Sequence, residues 1–173
     1  MTTISLSHLK LQNDEFVELT YNSSIKEKKW CEIFLDCAKV ISKGSHCVSK
    51  KVAALIVKNN RIVSTGINGT AVGLKNCDEI FDEKNFNRTE HHNWSKIHEV
   101  HAEANAITTA ASEGISIKNG VIYTTLSPCT DCCKLIAAAN LTAVCFEELY
   151  DLDQEGLKAL IRANIEVIRV KRS

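Results

Sequence analysis

The chain reads as an α/β fold, with a mixed sheet covered by helices on both faces. Three observations predict it. Segments with apolar residues at helical spacing alternate with short apolar runs of strand length. Two of those runs stand close enough together to form a hairpin. The resulting order, α-ββ-α-β-α-β-α-β, is that of a layered mixed sheet. No internal repeat or low-complexity segment interrupts it.

Residues 1–25 are polar with weak periodicity and end in Tyr21-Asn22-Ser23-Ser24, so they read as an N-terminal extension of unassigned role. Trp30, Ile33, Phe34, Cys37, Val40 and Ile41 then mark one face of a helix that Gly44 could stop. Val52 to Val57 is a continuous apolar run, and Lys58-Asn59-Asn60 turns it into a second strand from Arg61 to Ile67. Residues 68–98 are expected to be irregular, and a loop of that length in a compact domain implies function or a local tie such as a metal. Residues 100–112 have helical composition, with Ala104, Ile107, Ala110 and Ala111 small enough to pack closely on a sheet. A strand is expected over Val121–Leu126, a helix over Thr130–Ala139 and a short strand over Ala143–Phe146. A helix from Leu152 to Ala163 follows, and Ile165, Val167 and Val170 close the chain as a partly exposed strand.

The chain has 173 residues, the size of one domain able to bury a full core, and 45% of them are apolar. Twenty-one basic residues balance 21 acidic ones, without the basic stripe that a nucleic-acid backbone would require, so a small ligand is favoured. The start Met1-Thr2-Thr3-Ile4 has neither the basic region nor the apolar core of a signal peptide, and no stretch approaches a membrane span. The eight cysteines are therefore expected to be reduced thiols in the cytoplasm, some binding metal and some buried as small hydrophobes.

Two motifs carry the chemistry. His101-Ala102-Glu103 opens one expected helix, and Pro128-Cys129-Thr130-Asp131-Cys132 opens another directly after a strand. A Cys-x-x-Cys pair and one distant histidine give three ligands and leave a tetrahedral position open, the arrangement of a catalytic rather than a structural zinc. Zinc in such a site lowers the pKa of water from about 15.7 toward about 7. Thiols in the first turn of a helix are held as thiolates by amide N–H groups and the dipole. Glu103 would serve as the proton carrier beside that water. Either motif alone is weak, because redox pairs and structural zinc sites share Cys-x-x-Cys; together, in this order, they match the signature of zinc deaminases. Cys133 adjoins the second thiol but has the wrong spacing, so it is assigned to the core.

With these motifs the chain resembles the cytidine/deoxycytidylate deaminase superfamily, most closely the deoxycytidylate deaminases of bacteriophages and bacteria. The resemblance runs from about residue 26 to 170. It includes Val52-Ala-Ala-Leu-Ile-Val, Arg61-Ile-Val-Ser-Thr-Gly-Ile-Asn-Gly-Thr, Asn76-Cys77-Asp78, Trp94-Ser95, Glu99 to Ile107, Tyr123-Thr-Thr-Leu-Ser-Pro-Cys and Tyr150. It implies a cytidine deaminase-like three-layer α/β/α sandwich with a central mixed five-stranded sheet, built by residues 26–173 as one domain. It also implies zinc-dependent hydrolysis of dCMP to dUMP and ammonia, which supplies dUMP for dTMP synthesis. Asn68 looks like a contact to the sugar and base edge, and the Ala102 N–H like a donor to the base carbonyl. Ser49 and Lys51 look like 5′-phosphate ligands, with Tyr150 as a wall of that pocket. The alternatives are a solvated surface lysine and a turn asparagine beside Gly69.

Phage-type members also carry a second, structural zinc, and the matching positions here are Cys47, Cys77, His91 and Glu99. Two thiolates, an imidazole and a carboxylate suit that metal and would tie down the 68–98 segment. The rival reading makes Cys47 a buried hydrophobe, His91 or His92 a surface histidine and Glu99 a helix-start charge. The resemblance further implies a homo-oligomer, commonly a hexamer, activated by dCTP and inhibited by dTTP. The chain departs from the family pattern at Ala53, Ile67, Ala71, Thr109 and Ser112, which puts effector control and subunit packing in question. Competing functions are deamination of tRNA or single-stranded DNA, which would need a basic track, and a non-catalytic zinc scaffold, which would have no use for Glu103.

Overall fold

The computed structural model describes residues 4–21, 24–150 and 154–172. The five expected strands are β3 (Ala53–Lys58), β4 (Arg61–Ile67), β7 (Val121–Leu126), β8 (Ala143–Glu148) and β9 (Glu166–Arg172). The stretch read as an extension adds two more, β1 (Ile4–Gln12) and β2 (Glu15–Thr20). The seven run in the order β2-β1-β9-β8-β7-β3-β4, with β7, β8 and β9 parallel and the other neighbours antiparallel. Two short strands, β5 (Gly69–Thr70) and β6 (Glu99–Val100), pair separately beside the sheet.

Side-chain alternation along the strands splits the core in two. On one face α1 (Ile25–Ser42) covers Ala53, Leu55, Val57, Tyr123, Cys145, Ile168 and Val170 with Cys31, Phe34, Leu35 and Ala38. On the other, α3 (Ala102–Ser112), α4 (Thr130–Ala138) and α5 (Glu155–Arg162) pack on Ala54, Ile56, Ile122, Val144, Phe146 and Val167. This is the three-layer α/β/α sandwich. β3 is buried on both faces, which is why its sequence is a continuous apolar run rather than an alternating one.

Helix α1 starts at a capping box: Ser24 Oγ accepts from Glu27 N at 3.2 Å, and Ser24 N donates to the Glu27 carboxylate at 2.7 Å. Its buried stripe lies to one side of the expected one, so Val40 is 64% exposed. The 68–98 segment is less irregular than expected, because α2 (Arg88–His98) occupies its second half. Asn87 Oδ1 caps that helix, accepting from Thr89 N and Glu90 N at 2.9 and 3.1 Å. The closing strand is also corrected. β9 lies between β1 and β8, so Val167 and Val170 are buried rather than partly exposed. For the expected Leu152–Ala163 helix, residues 151–153 lie outside the described residues, and the rest forms α5. Among the described residues no helix is long and apolar enough to cross a membrane.

Candidate active site

Strand β7 ends at Leu126, and the chain turns through Ser127 and Pro128 into α4, with Cys129 at the N-cap and Cys132 in the first turn. Across from it, His101 is the N-cap of α3. Both caps have extended backbones, so each helix begins by aiming its cap side chain away from its own axis. His101 Nδ1 lies 3.3 Å from Cys129 Sγ and 3.5 Å from Cys132 Sγ, and the three donor atoms fall within 4.8 Å of one another. Tetrahedral zinc with bonds of about 2.05 Å to nitrogen and 2.3 Å to sulfur would hold them about 3.6 Å apart, so the donors fit the metal. Burial is graded, with Cys132 buried, Cys129 half-buried and His101 exposed, which leaves one side open to a reactant.

The electrostatics hold one of the two thiols, Cys129, as a thiolate. Hydrogen bonds from Cys132, then from His101, pull Cys129 down to about 4. The Cys129 thiolate in turn pushes His101 up to about 9. Cys132 is raised, first because its thiol donates to Cys129 and then by burial. Glu103 stands in the first turn of α3, only 4% exposed, with its carboxyl meeting Cys132. Burial raises its pKa, making the carboxylate a stronger proton acceptor. Strand β4 backs this turn: Gly66 runs against the Ala102 carbonyl and Ala106 N, and Ser64 Oγ donates to Ala106 O at 2.6 Å.

The second set of donors is also brought together. Cys47, Cys77, His91 and Glu99 place their ligand atoms within 4.8 Å of one another, with His91 Nε2 at 3.6 Å from Cys47 Sγ and 3.3 Å from Cys77 Sγ. Cys47, Cys77 and His91 are buried, and one oxygen of Glu99 is buried with no hydrogen-bond partner. Burial raises Cys47 and pushes Cys77 up to about 12. A buried carboxylate oxygen without a partner is costly. A divalent cation would satisfy it and take the thiols as thiolates, so these residues fit zinc as well. Four closed donors here contrast with three open ones at His101.

The expected substrate residues are not all free to bind. Asn68 is 8% exposed, its Oδ1 accepting from Val52 N at 2.8 Å and its Nδ2 donating to Lys50 O at 2.9 Å. Ala102, as the first residue of α3, keeps a backbone N–H without an intrahelical acceptor. Ser49 and Lys51 are exposed. It is Lys50, which sequence reasoning passed over, whose Nζ stands 5.9 Å from the Tyr150 ring centroid. Ser127 was also passed over; its Oγ accepts from Tyr150 N at 2.7 Å and ties that wall to the Cys129 turn. Cys133 packs in the core, its thiol donating to Pro128 O at 3.7 Å.

An open set of three metal donors beside a buried proton-carrying carboxylate, on an α/β/α sandwich, defines a zinc-dependent hydrolase of the deaminase type. The family model for the cytidine and deoxycytidylate deaminase zinc-binding region matches residues 28–148. The deoxycytidylate deaminase of Enterobacteria phage T2 is 36% identical over 170 residues, covering 80% of this chain and 90% of that protein. The phage T4 enzyme is 35% identical, covering 80% and 88%. The dCMP deaminase of cyanophage S-TIM5, solved in complex with dCMP and dUMP, superposes with a TM-score of 0.69 at 31% identity, covering 86% of this chain and 99% of that one. The chain belongs to the cytidine and deoxycytidylate deaminase family.

Proposed function

We propose that the protein hydrolyses dCMP to dUMP and ammonia, with His101, Cys129 and Cys132 as the zinc ligands and Glu103 as the proton carrier. The observation that carries this reading is the buried Glu103 carboxyl against a half-open His/Cys/Cys donor set. The choice of dCMP is supported by the similarity to the phage enzymes and to the cyanophage enzyme that holds dCMP and dUMP.

Zinc bound by the three donors supplies a Lewis acid that makes water nucleophilic near neutral pH. Glu103 takes the proton released as water adds to C4 of the cytosine and delivers it to N3. It then moves the second water proton to the C4 amine, the C–N bond breaks, and ammonia leaves as the C4 carbonyl forms. The Ala102 N–H, free at a helix N-terminus, would donate to the base carbonyl. Asn68 would reach the sugar and base edge, and Ser49 and Lys51 would meet the 5′-phosphate in a pocket walled by Tyr150. Lys50 supplies a further cation beside Tyr150.

In the same reading Cys47, Cys77, His91 and Glu99 hold a second, structural zinc, supported by the orphaned Glu99 oxygen. Residues 26–173 form the deaminase unit, and residues 4–20 extend its sheet. We extend the proposal to a homo-oligomer, a hexamer as in the family, responding to dCTP as activator and dTTP as inhibitor. Thr109 and Ser112, two of the departures from the family pattern, lie exposed on α3. The thiol-rich donor sets support a reading of the protein as working in the reducing cytoplasm, that of the host for a virus-encoded copy.

Ammonia release, or loss of cytosine absorbance, measured across dCMP, CMP, deoxycytidine, dCTP and a cytosine-bearing oligonucleotide tests the assignment. dCMP should be turned over fastest, and a chelator should abolish the reaction. Turnover of the oligonucleotide but not of dCMP would overturn it. Flat dCMP kinetics with and without dCTP and dTTP would remove the regulatory part alone.

A further inference from the structure

Beside the second donor set lies a buried hydroxyl that the donors do not use. Ser45 is 3% exposed; its Oγ donates to Asn68 O at 2.8 Å and accepts from Cys47 N at 3.2 Å. A hydroxyl is suited to this position because it can donate and accept at once. Asn68 passes the connection on. Its Oδ1 accepts from Val52 N, its Nδ2 donates to Lys50 O, and its own N–H donates to Val52 O at 3.1 Å. From the opposite side Asn105 Nδ2, on the helix that carries Glu103, donates to Ile67 O at 2.9 Å. The end of β4 is thus clamped between α3 and the segment leading into Cys47, and it holds residues 50–52 through the Asn68 amide.

We propose that Ser45 is a positioning residue for nucleotide binding. By fixing Asn68 to the Cys47 backbone it sets where residues 49–51 stand relative to Tyr150. The inference rests on the reading of that segment as the 5′-phosphate contact of a dCMP deaminase. Alanine at position 45 would leave the buried Asn68 carbonyl and Cys47 N–H without their partner. The 49–51 segment would then be held by one side only, while His101, Cys129, Cys132 and Glu103 would keep their own supports.

The test uses the full zinc-loaded chain with Ser45→Ala and the near-isosteric Ser45→Cys, whose thiol is a weaker donor. KM and kcat are measured for dCMP and deoxycytidine, and dUMP affinity is measured by calorimetry. Ser45→Ala should raise KM for dCMP about tenfold, equivalent to about 1.4 kcal/mol. It should weaken dUMP binding by the same factor, leave kcat for dCMP within about twofold, and cost deoxycytidine clearly less in kcat/KM than dCMP. Ser45→Cys should fall between wild type and alanine, and it carries the comparison if the alanine variant does not fold. A lowered thermal midpoint with unchanged dCMP KM and dUMP affinity would overturn the inference. So would an equal loss on dCMP and deoxycytidine, because the hydroxyl would then serve the fold or the base and not the segment at the phosphate. Failure of the wild type to turn over dCMP would sink the functional reading itself, a result distinguishable from a wild-type-like Ser45→Ala.

Discussion

Replacing Gly66 with alanine should separate β4 from the first turn of α3 and cost activity out of proportion to stability. A Cβ at position 66 would stand 2.3 Å from Ala102 O, 2.4 Å from Ala106 N and 3.0 Å from Ala106 Cα. All three are backbone atoms, so no side-chain rotation relieves the clash. Ordinary contact requires about 3.4 Å, so the helix must withdraw from the strand by about 1 Å. The turn that moves carries His101, Ala102 and Glu103, whereas Cys129 and Cys132 sit on α4 and stay. A displacement of about 1 Å at a reacting centre can cost about 100-fold in rate. Overpacking costs about 1–3 kcal/mol, a fall in thermal midpoint of about 2–12 °C for a domain of this size. The assay is kcat/KM for dCMP with zinc content and thermal midpoint on the same preparation. Gly120→Ala is the control, since its Cβ would meet Ile117 O at 2.9 Å and Val57 O at 3.1 Å at the opposite end of the sheet. It should lower the midpoint and leave kcat/KM intact. Gly66→Ala with kcat/KM within threefold of wild type, or a matching loss in Gly120→Ala, would refute the reasoning.

Glu103→Gln should retain zinc while deamination falls by about 100- to 10,000-fold, the usual range for a lost acid–base group; intact turnover would end the proposed mechanism. Cys77→Ala should reduce zinc from about two ions per chain to one, and elemental analysis giving one ion for both proteins would remove the second site. Glu18 on β2 is held below the ordinary carboxylate range, first by its hydrogen bond from Lys171 and then by Arg169, both on β9. A depressed folded pKa means that its stabilising contribution is complete above the unfolded value of about 4.3 and is lost as pH falls through the folded one. Thermal midpoints of wild type and Glu18→Gln should therefore differ at pH 7 and converge in acid. A constant gap down to pH 2 would contradict this.

The central layers were legible in the sequence because their signals are local. An apolar run makes β3, and small residues mark the face of α3. The metal motifs were legible because His101-x-Glu103 and Cys129-x-x-Cys132 each keep their residues at short fixed spacings at the start of a helix. The first hairpin was not, and its burial explains why. Leu6 packs with the α1-side core and Leu9 with the opposite core, so β1 buries residues three apart on both faces and no period of two survives. Helix α2 was hidden for a related reason. Its inward face is His91 and Trp94 packed around Cys47 and Cys77, so polar residues do the burying and no apolar stripe results. Lys50 and Lys51 differ only in direction, which no composition reveals; the Asn68 amide that orients this segment is set by contacts 16 and 18 residues away.

The antiparallel pairing of β1 with β9, from Ile4 opposite Arg172 to His8 opposite Ile168, has a consequence for biogenesis. Strand β1 is synthesised about 150 residues ahead of its neighbour β9. At ordinary ribosomal rates of about 5–20 residues per second, the hairpin waits about ten to thirty seconds before its docking edge exists. Once β8 (Ala143–Glu148) has been made, it too presents an open parallel edge until β9 follows. A nascent chain arrested within β9 would therefore expose two unsatisfied strand borders at once, and chaperone capture of stalled chains should be greatest at that point.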